Sequence, residues 1–447
     1  MLNARRYTPT NTRIFTTIVR YTYGIWLRYA YNIEVRGLET IRKLEAPFVL
    51  VGNHTNILDP FILNTIVPHP IHWVTSDGNM RTPLMRFLLL KLVGSIPKSK
   101  AIPDIETVNW IVEVIRKKKG VVGLFPEGQA SWDGRSMPSF PATAKLLKIL
   151  KAPVLLGKTS GGYLSLPRWS RFRRKGRIIL DFSILFTPEE LKSSHPDTIF
   201  AKLESGLAHD DTIWQRQTGE RYLHPRRAEN LELALYMCPS CLFVETMRSA
   251  GNRFFCENCG LEREYDSRGH LVPIFPEKTA PDSATSDSAP KDSVQSCPGA
   301  TERTVPDHRG SGSSAPGIPE TVPDWETWQK SAFRTFVLDR AAAPGDLPIL
   351  SGENITLSRG WRMERMRPAG TGLLALYADR LEFVPQSGAT ISFAIHDIEG
   401  PGVLKKNLFE FYVEKSVYRV GFPNLSRTGR SWVAALDFLE TIDSPKS

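Results

Sequence analysis

Between Pro276 and Pro323 the chain runs 48 residues without an aromatic side chain, carrying 8 Pro, 8 Ser and 4 Gly. Such a stretch buries too little apolar surface to offset the entropy of ordering it, so it reads as a flexible linker. A 447-residue chain interrupted there must fold as separate units on either side. The 41% hydrophobic content rules out disorder throughout, and no run of about 18 uncharged apolar residues is present to cross a bilayer. From Met1 to Arg28 arginines interrupt the apolar positions, so no secretory leader is expected.

Charge divides the chain as well. Residues 1–237 hold 34 Lys+Arg against 20 Asp+Glu, while 238–447 hold 23 against 27. The basic part points to an anionic partner: nucleic acid, an anionic membrane surface or a phosphorylated small molecule. At ~100° per residue, a helix near the start places Arg13, Arg20 and Arg28 opposite Ile14, Phe15, Ile18, Ile25, Trp26 and Tyr29. That pattern suits a helix lying in a membrane interface, with arginines reaching lipid phosphates. Arg81 through Val93 repeats the theme with Leu84, Met85, Phe87, Leu88, Leu89 and Leu90. Ordinary core packing is the alternative for both. The cluster Arg168, Arg171, Arg173, Arg174, Lys175 and Arg177 is a further candidate for anionic lipid, or else a solvated surface or nucleic-acid patch. The expected location is the cytoplasmic side of a membrane, peripheral or interfacial.

Residues 1–235 alternate short apolar runs (Phe48–Val51, Val121–Phe125, Val154–Leu156, Ile178–Phe182) with stretches of helical period, the pattern of an α/β domain. Asn53-His54-Thr55-Asn56-Ile57-Leu58-Asp59-Pro60 follows directly on the first run. A His at a strand end, with an Asp five residues on where a helix begins, makes a usable dyad. The carboxylate accepts from one ring nitrogen, fixes the tautomer and raises the basicity of the other, which can then take a proton from a hydroxyl. A second pair at this spacing, His72 and Asp77, lies along an alternating strand and its exit, so its side chains point apart and His72 is structural. Leu124-Phe125-Pro126-Glu127-Gly128 closes another apolar strand. Strand ends of α/β domains converge on one crevice. There Gly128 lets a substrate approach the backbone and Glu127 accepts from a hydroxyl or orients the loop; a plain strand-to-loop turn is the alternative.

Together these motifs resemble the glycerolipid or lysophospholipid acyltransferases, typified by 1-acylglycerol-phosphate acyltransferase, over about residues 10–220. The resemblance implies a mixed sheet flanked by helices, with His54 as the base that activates an acceptor hydroxyl for attack on an acyl thioester, and Asp59 orienting it. It assigns Asn53, Pro126, Glu127 and Gly128 to the acceptor side. Gly94-Ser95-Ile96-Pro97-Lys98-Ser99-Lys100 is similar to the second family block, with Lys100 where an arginine is usual, and Ala152-Pro153-Val154-Leu155-Leu156 to the fourth. The third block departs, since Ala130 stands where the family carries arginine. Arg135 is the nearby substitute, and Lys100 offers a point charge rather than a bidentate fork. The acyl donor implied is acyl-CoA or acyl-carrier protein, and the acceptor a lysophospholipid or related lipid.

Four of the five cysteines, Cys238, Cys241, Cys256 and Cys259, fall in a C-x2-C-x14-C-x2-C pattern. Each pair chelates through a turn, and together they offer a closed tetrahedral thiolate set for a structural zinc. Strands at Leu242–Met247 and Arg253–Phe255 complete a ribbon over 236–270. The linker is expected over 271–323, with Cys297 left over within it. Residues 324–447 then read as antiparallel β, with strands at Leu373–Val384, Ile391–Ile395, Leu408–Val413 and Ser416–Phe422 and a turn at Glu414-Lys415, closed by a helix over Ser431–Ile442. This order resembles the pleckstrin-homology or GRAM-like domains. A structural accessory role is the alternative, and its removal is expected to leave chemistry intact.

The leading expectation is an enzyme. The competing classes are a non-catalytic zinc-ribbon scaffold that binds nucleic acid or protein, and a lipid or thioester hydrolase using the same dyad. Nucleic acid is disfavoured because the basic residues lie mostly outside the ribbon and Cys241 is followed by apolar Leu242-Phe243-Val244.

Overall fold

The computed structural model describes residues 9–10, 13–99, 105–274, 317–424 and 427–443. Lys100, Cys297 and most of the expected linker lie outside these described residues.

The first unit is built on seven strands: β1 (Ile33–Arg36), β2 (Phe48–Val51), β3 (Ile71–Ser76), β4 (Ile96–Lys98), β5 (Val121–Leu124), β6 (Val154–Ser160) and β7 (Ile178–Phe186). Their order is β1-β7-β6-β2-β5-β3-β4, and every pairing is parallel except β6 with β7. Every residue of β2 and β5 is buried, as continuous apolar runs in a parallel sheet demand. Alternate residues enter two different cores. Val49, Val51, Val122 and Leu124 face one set of helices, and Phe48, Leu50 and Val121 the other. The sheet is therefore covered on both faces. Because β2 and β5 are adjacent and parallel, with Val51 opposite Leu124, the loops that follow them leave the sheet side by side. This is the convergence the strand pattern predicted.

The single N-terminal helix expected from the sequence is two helices, α1 (Arg13–Tyr21) and α2 (Tyr23–Ala30). The break is at Thr22, whose hydroxyl donates back to the Ile18 carbonyl at 2.7 Å, a local bond that competes with helical geometry. Arg20 does not face outward as expected. Its guanidinium donates to the carbonyls of Asn64 (3.3 Å), Val67 (2.5 Å) and Pro68 (3.2 Å), at and just beyond the end of the Asp59–Ile66 helix. Carbonyls left unpaired at a helix C-terminus attract a cation.

The ribbon is an antiparallel sheet of β8 (Met247–Ala250), β9 (Arg253–Cys256), β10 (Glu262–Tyr265) and β11 (Leu271–Pro273), in the order β11-β10-β9-β8. The strand expected from Leu242 begins only at Met247. Leu242 and Glu245 take left-handed backbone angles, and the Leu242 N–H bonds the Cys238 carbonyl at 2.9 Å, so the chain curls around the cysteines before it extends.

Beyond the linker a helix, Val322–Ala342, starts on the Thr321 cap and leads into seven antiparallel strands. These are β12 (Leu350–Gly360), β13 (Arg367–Leu376), β14 (Arg380–Pro385), β15 (Ile391–Ala394), β16 (Ile398–Leu404), β17 (Leu408–Val413) and β18 (Ser416–Gly421), ordered β15-β14-β13-β12-β18-β17-β16 and followed by the Gly429–Asp443 helix. The expected Leu373–Val384 strand is two, parted by a turn. β12 and β16 escape sequence detection because their register is broken by bulges, at Gly352/Ile355 and Glu399/Gly402, where Gly, Asn and Pro interrupt the alternation. Trp132, Trp169, Cys238, Phe254, Trp325 and Val403 share one core, so the α/β unit, the ribbon and the β-rich module are packed together.

Candidate active site

The loop from β2 carries the His–Asp pair in a fully bonded frame. His54 Nδ1 lies 2.9 Å from Asp59 Oδ2. The same carboxylate accepts the N–H groups of Thr55 (2.7 Å) and Asn56 (2.9 Å) and the Thr55 hydroxyl (2.9 Å), and Asp59 is buried. Asp59 opens its helix, where backbone donors and the dipole favour an anion. With Nδ1 committed to Asp59, Nε2 is the nitrogen left for a substrate proton. The imidazole is 18% exposed and lies on the Phe125 ring, centroids 4.3 Å apart, which in turn stacks on Trp73 at 5.0 Å. Phe125 belongs to the second motif, but its stacking on His54, and Trp73 beyond it, are visible only once β2, β5 and β3 are known to be neighbours.

The loop from β5 meets the first directly. Glu127 Oε1 accepts the His54 N–H at 3.0 Å, and Oε2 accepts that of Met137 at 3.0 Å. Ser131 donates its N–H to the His54 carbonyl at 2.9 Å. Glu127 is buried, and that burial pushes its carboxyl up to about 8, against the downward pull of its two backbone donors. Gly128 has φ +75°, and a Cβ there would fall 2.5 Å from the Phe140 ring, so only glycine fits without displacing that side chain.

Residues 32–155 match the family model described as Acyltransferase, a span that begins just before β1 and ends within β6. Residues 32–155 resemble an acyltransferase domain.

Among curated relatives, the 1-acyl-sn-glycerol-3-phosphate acyltransferase of Saccharomyces cerevisiae is 30% identical over 160 residues, 34% of this chain and 51% of that one. The enzyme of the same name from Limnanthes alba is 30% identical over 115 residues, 26% of this chain and 40% of that one. This chain thus spans about half the length of the first relative, or less for the second. The solved structure of PlsC, a 1-acyl-sn-glycerophosphate (LPA) acyltransferase from Thermotoga maritima, is similar at 18% identity with a TM-score of 0.37, over 43% of this chain and 76% of that one.

Within the α/β unit the remaining sequence candidates separate. Pro126, Glu127 and Gly128 stand at the dyad, and Lys100 is outside the described residues. Asn53 is buried and its amide is committed to β6: it donates to the Thr159 carbonyl at 2.8 Å and accepts the Thr159 N–H at 2.8 Å, fastening the end of β2 to β6. Arg135 is tied to Asp133 Oδ2 (2.7 Å), Thr327 Oγ1 (3.0 Å) and the Pro323 carbonyl (3.1 Å), so it bridges to the Val322–Ala342 helix rather than replacing the missing loop arginine. His72, as expected, is structural: it is buried and its Nδ1 meets the Gly94 carbonyl at 2.8 Å.

The basic cluster after β6 divides: Arg171, Arg173 and Lys175 are exposed, whereas Arg174 and Arg177 are tied into the protein. Arg174 is buried and donates to the carbonyls of Leu164 (3.2 Å) and Arg227 (2.7 Å), and Arg177 pairs with Glu34 (3.1 Å) and Glu220 (2.6 Å). Asp211, which no motif marked, is a buried anchor that accepts three backbone N–H groups at Gly161 (2.6 Å), Tyr163 (2.9 Å) and Leu164 (3.3 Å), as well as His209 Nε2 (2.6 Å).

The four cysteine sulfurs of the ribbon lie within 4.8 Å of one another. Cys238 and Cys259 are 3.6 Å apart and Cys241 and Cys256 3.7 Å. A tetrahedral Zn–S4 site with bonds of about 2.3 Å sets sulfurs about 3.8 Å apart, whereas a disulfide needs about 2.05 Å. The donor set fits a zinc ion with no ligand position left for substrate.

Proposed function

We propose that this chain is a membrane-associated O-acyltransferase. It moves a fatty acyl group from acyl-CoA or acyl-carrier protein to the hydroxyl of a lysophospholipid or related lipid. The observation that carries the reading is the His54–Asp59 contact, held by a buried, four-fold bonded carboxylate where the chain leaves β2, beside the exit of β5. Asp59 holds the Nδ1 proton, and Nε2 accepts the proton of the acceptor hydroxyl as its oxygen attacks the thioester carbonyl. The new C–O bond forms, the C–S bond breaks, and the proton passes from His54 to the departing thiolate. A thioester is already activated, so a positioned base suffices without a covalent enzyme intermediate.

No described helix is long and apolar enough to cross a membrane. The interfacial reading rests on a surface beside the dyad instead. Ile14, Ile18, Ile25, Trp26 and Tyr29 of α1 and α2 are exposed, as are Ile57 and Phe61 on either side of Asp59 in sequence and Leu84, Met85 and Phe87 on the Arg81–Val93 stretch. The Tyr23 ring meets Phe61 edge-on at 6.3 Å, which joins α2 to the helix that carries Asp59. A lysolipid seated in a bilayer would present its hydroxyl at this level. The ribbon holds one structural zinc, and the C-terminal module is PH- or GRAM-like. The test is acyl transfer from a thioester to lysolipid by the purified chain, with loss of transfer in His54→Ala.

A further inference from the structure

The acyltransferase domain carries its acceptor loop, Glu127 to Met137, with two sides in different company. One side serves the dyad, through Glu127 on the N–H groups of His54 and Met137 and through the Ser131 N–H on the His54 carbonyl. The other side is linked, through Arg168 and Arg135, to residues far later in the chain. Arg168 donates to Gln129 Oε1 (3.0 Å) and to the Ala130 carbonyl (3.3 Å), and the same guanidinium reaches the Lys405 carbonyl (3.2 Å) and that of Val403. Arg135 reaches Thr327 and Pro323.

Three residues before Arg135, on the same loop, sits Trp132, 6% exposed. Its ring lies 4.4 Å from the Arg168 guanidinium and 5.0 Å from that of Arg430, which belongs to the first turn of the Gly429–Asp443 helix. Two like charges against one ring are tolerable because each is also bonded elsewhere. Arg168 rests on carbonyls, and Arg430 on Glu326 and on the Ala234 carbonyl at 2.9 Å. Each guanidinium also gains from the negative face of the indole, an interaction strengthened where water is excluded.

We infer that the C-terminal β-rich module is part of the catalytic unit, positioning the acceptor loop of the acyltransferase domain through Trp132 held between Arg168 and Arg430. This rests on the proposed transfer at His54 and runs against the expectation that residues 324–447 are dispensable for chemistry. Trp132 and Arg430 are positioning residues and act through Glu127 and Ser131. In place of the guanidinium that the family resemblance puts at position 130, this loop has Ala130, whose carbonyl is one of the points by which it is tied down.

The test uses the full chain with Trp132→Leu, Trp132→Phe and the paired change Arg430→Met/Glu326→Gln, which removes one face of the stack without stranding a buried carboxylate. Two readouts are taken: steady-state kinetics with an acyl thioester and lysolipid, and amide hydrogen exchange at Ser131 and Met137. Trp132→Leu and the paired variant should raise the acceptor KM about tenfold, leave the donor KM unchanged, and speed exchange at both amides about tenfold, while Trp132→Phe stays close to wild type because the ring face remains. Unchanged exchange at Ser131 and Met137 in both disrupting variants overturns the inference. So does a loss that Trp132→Phe fails to rescue, or one that falls on donor and acceptor alike, because a merely structural role behaves that way. The exchange arm does not depend on turnover, so a wild type without transfer activity would end the proposed reaction and still leave the clamp decided.

Discussion

Glu127 accepts the backbone N–H of His54 at 3.0 Å, so the carboxyl of one motif fixes the main chain of the other. The two sequence blocks act as one structure because parallel pairing of β2 with β5 brings their exits together. What Glu127 contributes first is geometry: it sets where the His54 backbone stands before any substrate arrives.

Glu127 should therefore leave a mark on stability versus pH. Its folded carboxyl is raised to about 8 from an ordinary 4.5, so the folded state holds the proton more tightly than the unfolded chain. The contribution is fully present below about 4.5 and is lost as pH rises toward 8. The melting-temperature difference between wild type and Glu127→Gln should shift steadily against the wild type from pH 5 to pH 9. A difference independent of pH would contradict the assignment.

Asn53→Ala should act on stability rather than on acceptor recognition. It leaves the Thr159 N–H and carbonyl unpaired in a buried place, which costs about 2–4 kcal/mol for two lost partners. Urea denaturation measures this. A variant with unchanged midpoint and a raised acceptor KM would return Asn53 to the substrate.

Metal content tests the ribbon. Purified protein should carry about one zinc per chain, and Cys238→Ser should lose it. Because Cys238 sits in the same core as Trp132, Trp325 and Phe254, chelation should lower the melting temperature of the whole chain rather than of the ribbon alone. Zinc-free protein with an unaltered melt would rule the site out.

The apolar face of α1 and α2 predicts a separable defect. Ile18→Ser with Trp26→Ser should reduce partition into anionic vesicles about tenfold or more, since each inserted side chain is worth about 1.5–3 kcal/mol. Turnover of a short-chain, freely soluble lysolipid should be unaffected. Equal partition by flotation would place these side chains off the membrane.

The dyad, the Glu127 loop and the four cysteines were legible in the sequence because each is local, set by spacing along a few residues or by a buried strand that reads as an unbroken apolar run. Arginine was the residue most misread. Arg20, Arg168 and Arg174 look like surface charge in a basic segment and Arg135 like a substitute for the missing loop arginine, yet each donates to carbonyls or side chains brought in by distant parts of the chain. No local pattern announces such partners. The same holds for Asn53, whose place beside a catalytic candidate suggested substrate while its amide faces β6. Bulged β12 and β16 were hidden because Gly, Pro and Asn break the period-two signal on which strand detection depends.

The central claim is tested most directly by mass spectrometry of lipids after incubating wild type and His54→Ala with an acyl-CoA or acyl-carrier-protein thioester and a panel of lysophospholipids in liposomes. The account predicts an acylated phospholipid formed by wild type and reduced at least about a thousandfold in His54→Ala, with both proteins equally folded and equally membrane-bound. Comparable product from the variant would remove His54 as the base. Thioester loss without acylated lipid would replace the transferase by a hydrolase.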